Sequence, residues 1–383
     1  MYSGYFNYVK LEAVTAKERR QFRQRWWRLG AWDRQWAPPY YAALARLLDP
    51  TRQPHLARLQ PRFLHLEALP GRPRSLSRTG AAPTDGSPMF EVPVSTALAL
   101  RHPQAAQGVA FLSLWHMVND EESVERLLDY VLAELSPSGV RQLAGPVHPS
   151  LCLPFGVLAS DWNLTPPLHT PYYPPFTADL LSNILTPVAA SHLYTLAVAA
   201  NEKPLDTNVH LRPFDPQRLA GDLLPLLAQM NQGDPLLPAP DGLAAAYLWQ
   251  WLAWSPWQSW LAEVAGKPAG FVIIQPDLAG RLRRARGGRP WWGRLWLHWT
   301  SRKPVRGGRI VLGGVLPAFQ RQGIGRQLLA QAVQAAQAHG WQTLTIGPLP
   351  EEAPAARLLQ AAGATPQQVY QSYTYAPRPS ELW

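Results

Sequence analysis

Cysteine is almost absent from this chain: Cys152 stands alone among 383 residues. A single thiol excludes an internal disulfide framework and any zinc site built from cysteines. No Cys-His signature surrounds it, so the expectation is a small, buried, apolar residue. Long apolar runs are also missing. No stretch reaches the roughly 18 apolar residues that a membrane span requires. Met1 to Tyr5 has neither the basic start nor the apolar run of a signal peptide. The chain therefore reads as soluble and cytoplasmic, with no membrane partner. Acidic residues vanish locally, with none between Asp277 and Glu351, whereas ten Arg or Lys residues crowd positions 281–309. Such a field attracts phosphate, whether of a nucleotide cofactor or of nucleic acid. A solvated basic loop accounts for it equally well.

What is present suits a folded chain of two units. Hydrophobic residues make up 46%, and the 40 prolines are scattered among Trp, Leu and Tyr, where they shape loops. Strand and helix patterns alternate, giving an α/β class with an α+β mixed sheet. In the C-terminal half, Val209–Arg212 reads as a strand, followed by Asp215-Pro216 as a helix start. Leu219, Leu223, Leu224, Leu227 and Met230 recur at helical spacing, and a second helix is expected from Gly242 to Trp254. A hairpin follows, 260–264 and 270–274, turning at Ala265-Gly266-Lys267-Pro268. Segment 278–307 reads as a basic, Trp-rich insertion punctuated by Gly287-Gly288 and Gly307-Gly308. Then come a strand from Arg309 to Leu316, a glycine loop, a helix from Gly325 to His339, a strand at 343–346, a helix from Pro354 to Ala362, and a terminal strand near Tyr370–Tyr375.

The N-terminal half repeats the plan more weakly. Strands are expected at 8–11, 62–67, 108–114 and 140–143, with helices at 16–28, 39–48 and 121–135. The proposed division is 1–205 and 206–383, with Glu202–Asp206 as the linker.

The chemistry concentrates in Gln320-Arg321-Gln322-Gly323-Ile324-Gly325-Arg326. A helix start offers unpaired N–H groups and the positive end of the helix dipole, and glycine lets backbone approach a pyrophosphate. A Rossmann fingerprint would need an acidic residue about 20 positions later, and none is there. The loop, with the strand before it and the helix after it, resembles the signature of the GNAT acyltransferase superfamily. Shorter runs, among them Trp32–Pro39, Arg46–Pro50, Gly145-Pro146-Val147 and Pro171-Tyr172-Tyr173, are similar to a bacterial family of two-domain GNAT-like proteins.

The resemblance implies tandem GNAT-like domains, the first degenerate. Asn119-Asp120-Glu121-Glu122, with three carboxylates and no glycine, stands where a second cofactor loop would be. It further implies acetyl-CoA or another acyl-CoA as co-substrate, without a metal. Val315 and Leu316 would hold the pantetheine arm, and residues Gln320 to Arg326 the pyrophosphate. The acceptor would be an amine on a small molecule or peptide. The family's usual base maps to Arg309, its tyrosine acid to Leu359, and the asparagine opening that helix to Glu352, so neither standard group is present. Asp277 and Tyr373 are the substitute candidates, with Glu263, Tyr370 and Tyr375 near them and His298 read as structural. Open alternatives are a non-catalytic CoA-binding protein and a nucleic-acid-associated transferase using segment 281–309. Trp162, Tyr172, Tyr173 and Phe176 could line an acceptor pocket or pack in the core.

Overall fold

The computed structural model describes residues 6–11, 15–68, 92–105, 108–153, 156–198, 209–215, 218–230 and 237–376. The expected linker 202–206 and the Pro216 helix start lie outside them.

The N-terminal half contains β1 (Phe6–Leu11), α1 (Ala16–Gly30), α2 (Tyr41–Leu47), α3 (Pro54–Arg58), β2 (Arg62–Ala68), β3 (Val92–Leu100), β4 (Val109–Met117), α4 (Glu121–Leu135), β5 (Gln142–Gly145), β6 (Val157–Leu158), α5 (Phe176–Ile184) and β7 (Thr186–Ala197). The C-terminal half contains β8 (His210–Pro213), α6 (Leu219–Asp222), α7 (Leu224–Met230), α8 (Gly242–Leu252), β9 (Gln258–Val264), β10 (Lys267–Pro276), α9 (Ala279–Arg284), α10 (Trp291–Thr300), β11 (Gly307–Val315), α11 (Ile324–Ala338), β12 (Thr343–Pro350), α12 (Pro354–Ala361) and β13 (Thr365–Tyr375).

The strands form one sheet in the order β1-β2-β3-β4-β5-β13-β7-β12-β11-β10-β9-β8, with β6 also on β13. Most neighbours are antiparallel; β4–β5 and β11–β12 are parallel. The last strand of each half has crossed over. β13 pairs with β5 of the N-terminal half, β7 pairs with β12 of the C-terminal half, and the two exchanged strands pair with each other. Helices reinforce the joint: Tyr247 Oη on α8 donates to Leu47 O at 2.9 Å, and Gln53 Nε2 donates to Gln250 Oε1 at 2.9 Å.

The C-terminal sheet is covered on both faces. Leu328, Leu329, Ala332 and Val333 of α11 pack on one side with Ile274, Ile310 and Leu344. On the other, α7 and α8 set Leu227 and Leu248 against Phe271 and Leu312. Each fully buried Leu or Val contributes roughly 1.5–3 kcal/mol, which fixes α11 and therefore its first turn.

Several expectations shift. Segment 278–307 is no loop: it folds into α9 and α10, with Gly287 and Gly288 at φ of 62° and 71° between them. Gly307 and Gly308 do not punctuate it but belong to β11, because the ring of Trp341 would lie 1.9 Å from a Cβ at Gly308. The strand expected at 140–143 runs over 142–145, and β13 begins at Thr365 rather than near Tyr370.

Candidate active site: a forked strand pair, a bare helix start and an aromatic cavity

Strands β11 and β12 pair only from Gly307↔Thr343 to Ile310↔Ile346. Beyond that point β11 follows β10 while β12 follows β7, so the two diverge. A bulge helps: Ile273 faces Leu312 and Ile274 faces Ile310, leaving Val311 as the extra residue. The alternate amides and carbonyls of 311–315 that point away from β10 therefore have no strand partner. Such groups must find another partner or water.

Beside the fork lies the start of α11. Gly323 is its N-cap, in a left-handed conformation with φ of 81°, and no side chain caps the helix. The first helical bond runs from Gln327 N to Gly323 O at 3.0 Å, so the amides of Ile324, Gly325 and Arg326 precede the ladder. Gln320 and Gln322 fold back, donating to Val315 O at 3.2 Å and Ala318 O at 3.4 Å, and leave the turn open. Arg321, Gln322, Gly323 and Arg326 are exposed. A Cβ at Gly325 would sit 3.2 Å from Leu358, so glycine there allows α12 to pack closely. The bare amides, two flanking arginines and the fork fit a ligand with a pyrophosphate and an extended amide-bearing arm. Leu316 suits such an arm less well than its sequence position implies. Its amide donates to Ala269 O and its carbonyl accepts from Phe319 N, both at 2.9 Å.

The N-terminal half closes both equivalents. Asp120 accepts from Ser123 N at 3.2 Å and caps α4, with Glu121 and Glu122 in the first turn. Between β4 and β5, Val147 N donates to Leu112 O at 2.8 Å, so the chain fills its own fork.

The catalytic candidates are placed as follows. Asp277 Oδ1 accepts from Leu168 N and from Ala279 N, each at 3.0 Å, which holds the turn into α9 and ties the halves together. Burial raises its pKa, while the two amides and the Arg309 charge pull the other way. Tyr373 Oη donates to Ala178 O at 3.2 Å and lies 3.0 Å from Ser182 Oγ, against α5 rather than at the loop. Tyr370 and Tyr375 likewise donate to Pro171 O and to Asp129. Glu263 accepts from Arg212 at 2.9 Å, and His298 is exposed on α10.

Arg309 is buried at the fork. It donates through Nη1 to Thr170 Oγ1 and through Nη2 to Gly347 O at 2.7 Å. Burial lowers its pKa to about 10, with Asp277 opposing. Leu359 is buried in the core.

A cavity of about 110 Å³ lies between the halves. Trp26, Trp36 and Tyr40 line it from the N-terminal half, Trp254 and Leu282 from the C-terminal half, and Leu168 to Tyr173 from the proline-rich segment between. Of the four aromatics that could line a pocket or pack in the core, Tyr172 and Tyr173 line it, whereas Trp162 and Phe176 pack against the core. Three neutral histidines face it. Burial depresses His116 to about 4 and His169 to about 3, and holds His148 well below its ordinary value. Trp26 Nε1, Trp115 Nε1 and Ser113 Oγ, all of lining residues, are buried without a hydrogen-bond partner. The cavity touches the fork through His169, which contacts Gln275 at 3.0 Å, and through Thr170, which accepts from Arg309. Trp36 to Pro39, the end of the run Trp32–Pro39, line its wall. Asp33 accepts from Tyr172 Oη at 2.7 Å, and Gln35 accepts from Arg283. Sequence reading missed this site because its walls come from separate segments spread between positions 26 and 282. The only local signal was the density of Pro, His and Tyr at 165–173.

A sequence model described as the Acetyltransferase (GNAT) family matches residues 225–364, the run from α7 to the turn after α12. That segment is similar to a GNAT-family unit. The whole chain has a tandem GNAT fold: it superposes on a tandem GNAT protein from the clavulanic acid biosynthesis pathway with a TM-score of 0.56, covering 98% of this chain and 100% of that one, at 11% identity. It is also similar to a GCN5-related glucosamine N-acetyltransferase region in a fungal multi-domain GH3 beta-N-acetylglucosaminidase, with a TM-score of 0.55 and 12% identity. There the match covers 98% of this chain and 38% of that one. No curated protein sequence matches the chain. Family and fold point to an N-acetyltransferase-type enzyme.

Proposed function

We propose that this protein is an acyl-CoA-dependent N-acyltransferase, with acetyl-CoA its simplest donor and an amine its acceptor. The observation that carries the reading is the pairing of a bare, glycine-capped helix start with the fork beside it. In this reading the amides from Gln320 to Arg326 hold the pyrophosphate, helped by Arg321 and Arg326. Val315 and the unpaired edge of β11 hold the pantetheine arm. A bound acyl-CoA supplies the activated thioester. In this reading the free amides of β11 at the fork steady negative charge developing on the acyl oxygen. The N-terminal half, whose own fork and helix start are closed, contributes the cavity wall that receives the acceptor's apolar body.

Arg309 at the family's base position cannot accept a proton, and Leu359 at its acid position is apolar. We therefore assign the chain orientation and oxyanion stabilisation, with the acceptor amine reacting in its neutral form after losing its proton to water. On this reading the pH profile of kcat/KM follows the amine's own pKa. The same two residues favour a second reading, a CoA-binding protein without transfer. Thiol release from acetyl-CoA across a panel of alkyl, aryl and peptide amines separates the two. Release above hydrolysis with any amine, lost on Gly323→Glu, supports transfer. Tight CoA binding with no amine-dependent release leaves only the second reading. The nucleic-acid reading loses three of its ten cations to internal contacts. Arg281 donates to Thr300 O and Lys303 O, Arg283 to Gln35 and Thr165, and Arg309 is buried.

A further inference from the structure

Helix α10 turns a row of aromatic and aliphatic side chains toward solvent. Trp291, Leu295 and Trp299 recur every four residues, on one face, and are 69%, 60% and 68% exposed. Trp292 beside them is 43% exposed. The orientation is fixed by the opposite face. Gly293 is buried, and a Cβ there would stand 2.3 Å from Ala285 O, so the helix lies tight on the segment after α9. Thr300 is buried as well and bonds back to Trp296 O at 2.8 Å. Rotating the Trp row inward would separate Gly293 from Ala285 and bring Thr300 to the surface.

The surroundings are cationic. Arg284, Arg286, Arg294, Arg302, Lys303 and Arg306 are exposed around the helix, and Lys303 Nζ sits 3.8 Å over the Trp299 ring. No acidic residue occurs from 278 to 350. An exposed apolar ridge of this kind marks a contact surface. Tryptophan prefers the boundary between water and hydrocarbon, and arginine and lysine prefer anionic headgroups.

We propose that α10 is a membrane-surface helix that seats this protein on bilayers bearing anionic lipid, with Trp291, Leu295 and Trp299 at the headgroup boundary and the surrounding cations on lipid phosphates and carboxylates. A bilayer fits better than a polynucleotide. Base stacking calls for a groove that tracks the strand, whereas this row stands on a convex helix and includes Leu295. No spanning segment is involved, since no helix among the described residues is long and apolar enough to cross a membrane.

The full chain is mixed with vesicles of phosphatidylcholine alone or with phosphatidylserine added, at low and high salt, and floated on a density step. Flotation is expected with the phosphatidylserine vesicles at low salt, with weakening as salt rises. The variant Trp291→Ser/Leu295→Ser/Trp299→Ser should lower the partition coefficient by at least about tenfold. Its melting temperature should stay close to wild type, because the three side chains are exposed. The variant Arg302→Glu/Lys303→Glu/Arg306→Glu should lose the preference for anionic lipid. Absence of flotation at low salt overturns the proposal, as does equal flotation of the triple serine variant. Serine-sensitive retention on a polynucleotide, or a serine-sensitive dimer, without flotation overturns it in favour of those partners.

Discussion

Lowering the pH should destabilise this protein steeply, well above the range where carboxylates titrate. Burial depresses His55 and His116 to about 4 and His169 to about 3, against an ordinary value of 6.5. In the unfolded chain each takes up a proton near 6.5; in the fold each stays neutral until about 4 or below. Between those limits the unfolded state binds the extra protons, so stability is intact above pH 6.5 and falls as pH falls. Each such histidine contributes about 1.4 kcal/mol per pH unit, so the three together give roughly 4 kcal/mol per unit between about pH 6 and 4. Asp277, whose pKa is raised, works in the opposite direction but is a single group. By pH 5 the loss amounts to roughly 6 kcal/mol, a large share of a typical total stability of roughly 5–15 kcal/mol. The assay is the urea midpoint at half-unit steps from pH 7.5 to 5. His116→Phe, which keeps a ring stacked against Trp26, should flatten the slope by about 1.4 kcal/mol per unit whatever it does to absolute stability. A midpoint that is level or rising from pH 7 to 5 would refute the reasoning.

Further variants probe individual contacts. Asp277→Asn keeps an oxygen for the amides of Leu168 and Ala279, so it should preserve folding and thiol release, whereas Asp277→Ala should cost about 1–3 kcal/mol by leaving those two amides without their partner. A large loss of turnover in a well-folded Asp277→Asn would make the carboxylate a base. Tyr373→Phe should cost about 1 kcal/mol for its bond to Ala178 O and leave turnover unchanged. A hundredfold drop in kcat without a stability change would restore the hydroxyl as the acid. Gly308→Ala forces a methyl into the Trp341 ring and should destabilise by at least about 2–3 kcal/mol, read as a lower melting temperature.

Local signals in the sequence were reliable wherever an element answers to its own residues. The hairpin of β9 and β10 turns at Ala265-Gly266, both at positive φ, as its glycine and flanking strands imply. Helix α4 starts and stops where Asp120 and the apolar spacing place it. The glycine loop was legible because the chemistry of a helix start is local. β7 was not, since Thr186 to Ser191 carries proline and small residues with no alternation, and its partners in β12 and β13 lie 146 or more positions away. The strand exchange and the cavity depend on those distant pairings. Nor could the composition of 278–307 separate a solvated loop from a helix with an outward tryptophan row. That distinction rests on the packing of Gly293 and Thr300.

The central claim is that the start of α11 and the fork of β11 hold coenzyme A, and titration calorimetry tests it most directly. Acetyl-CoA and CoA are titrated into the wild-type chain and into Gly323→Glu/Gly325→Glu, which places two carboxylates on the bare amides. One site per chain is expected in the wild type and none in the variant, with both melting cooperatively. No heat with either ligand in the wild type, or equal binding by the folded variant, would contradict it.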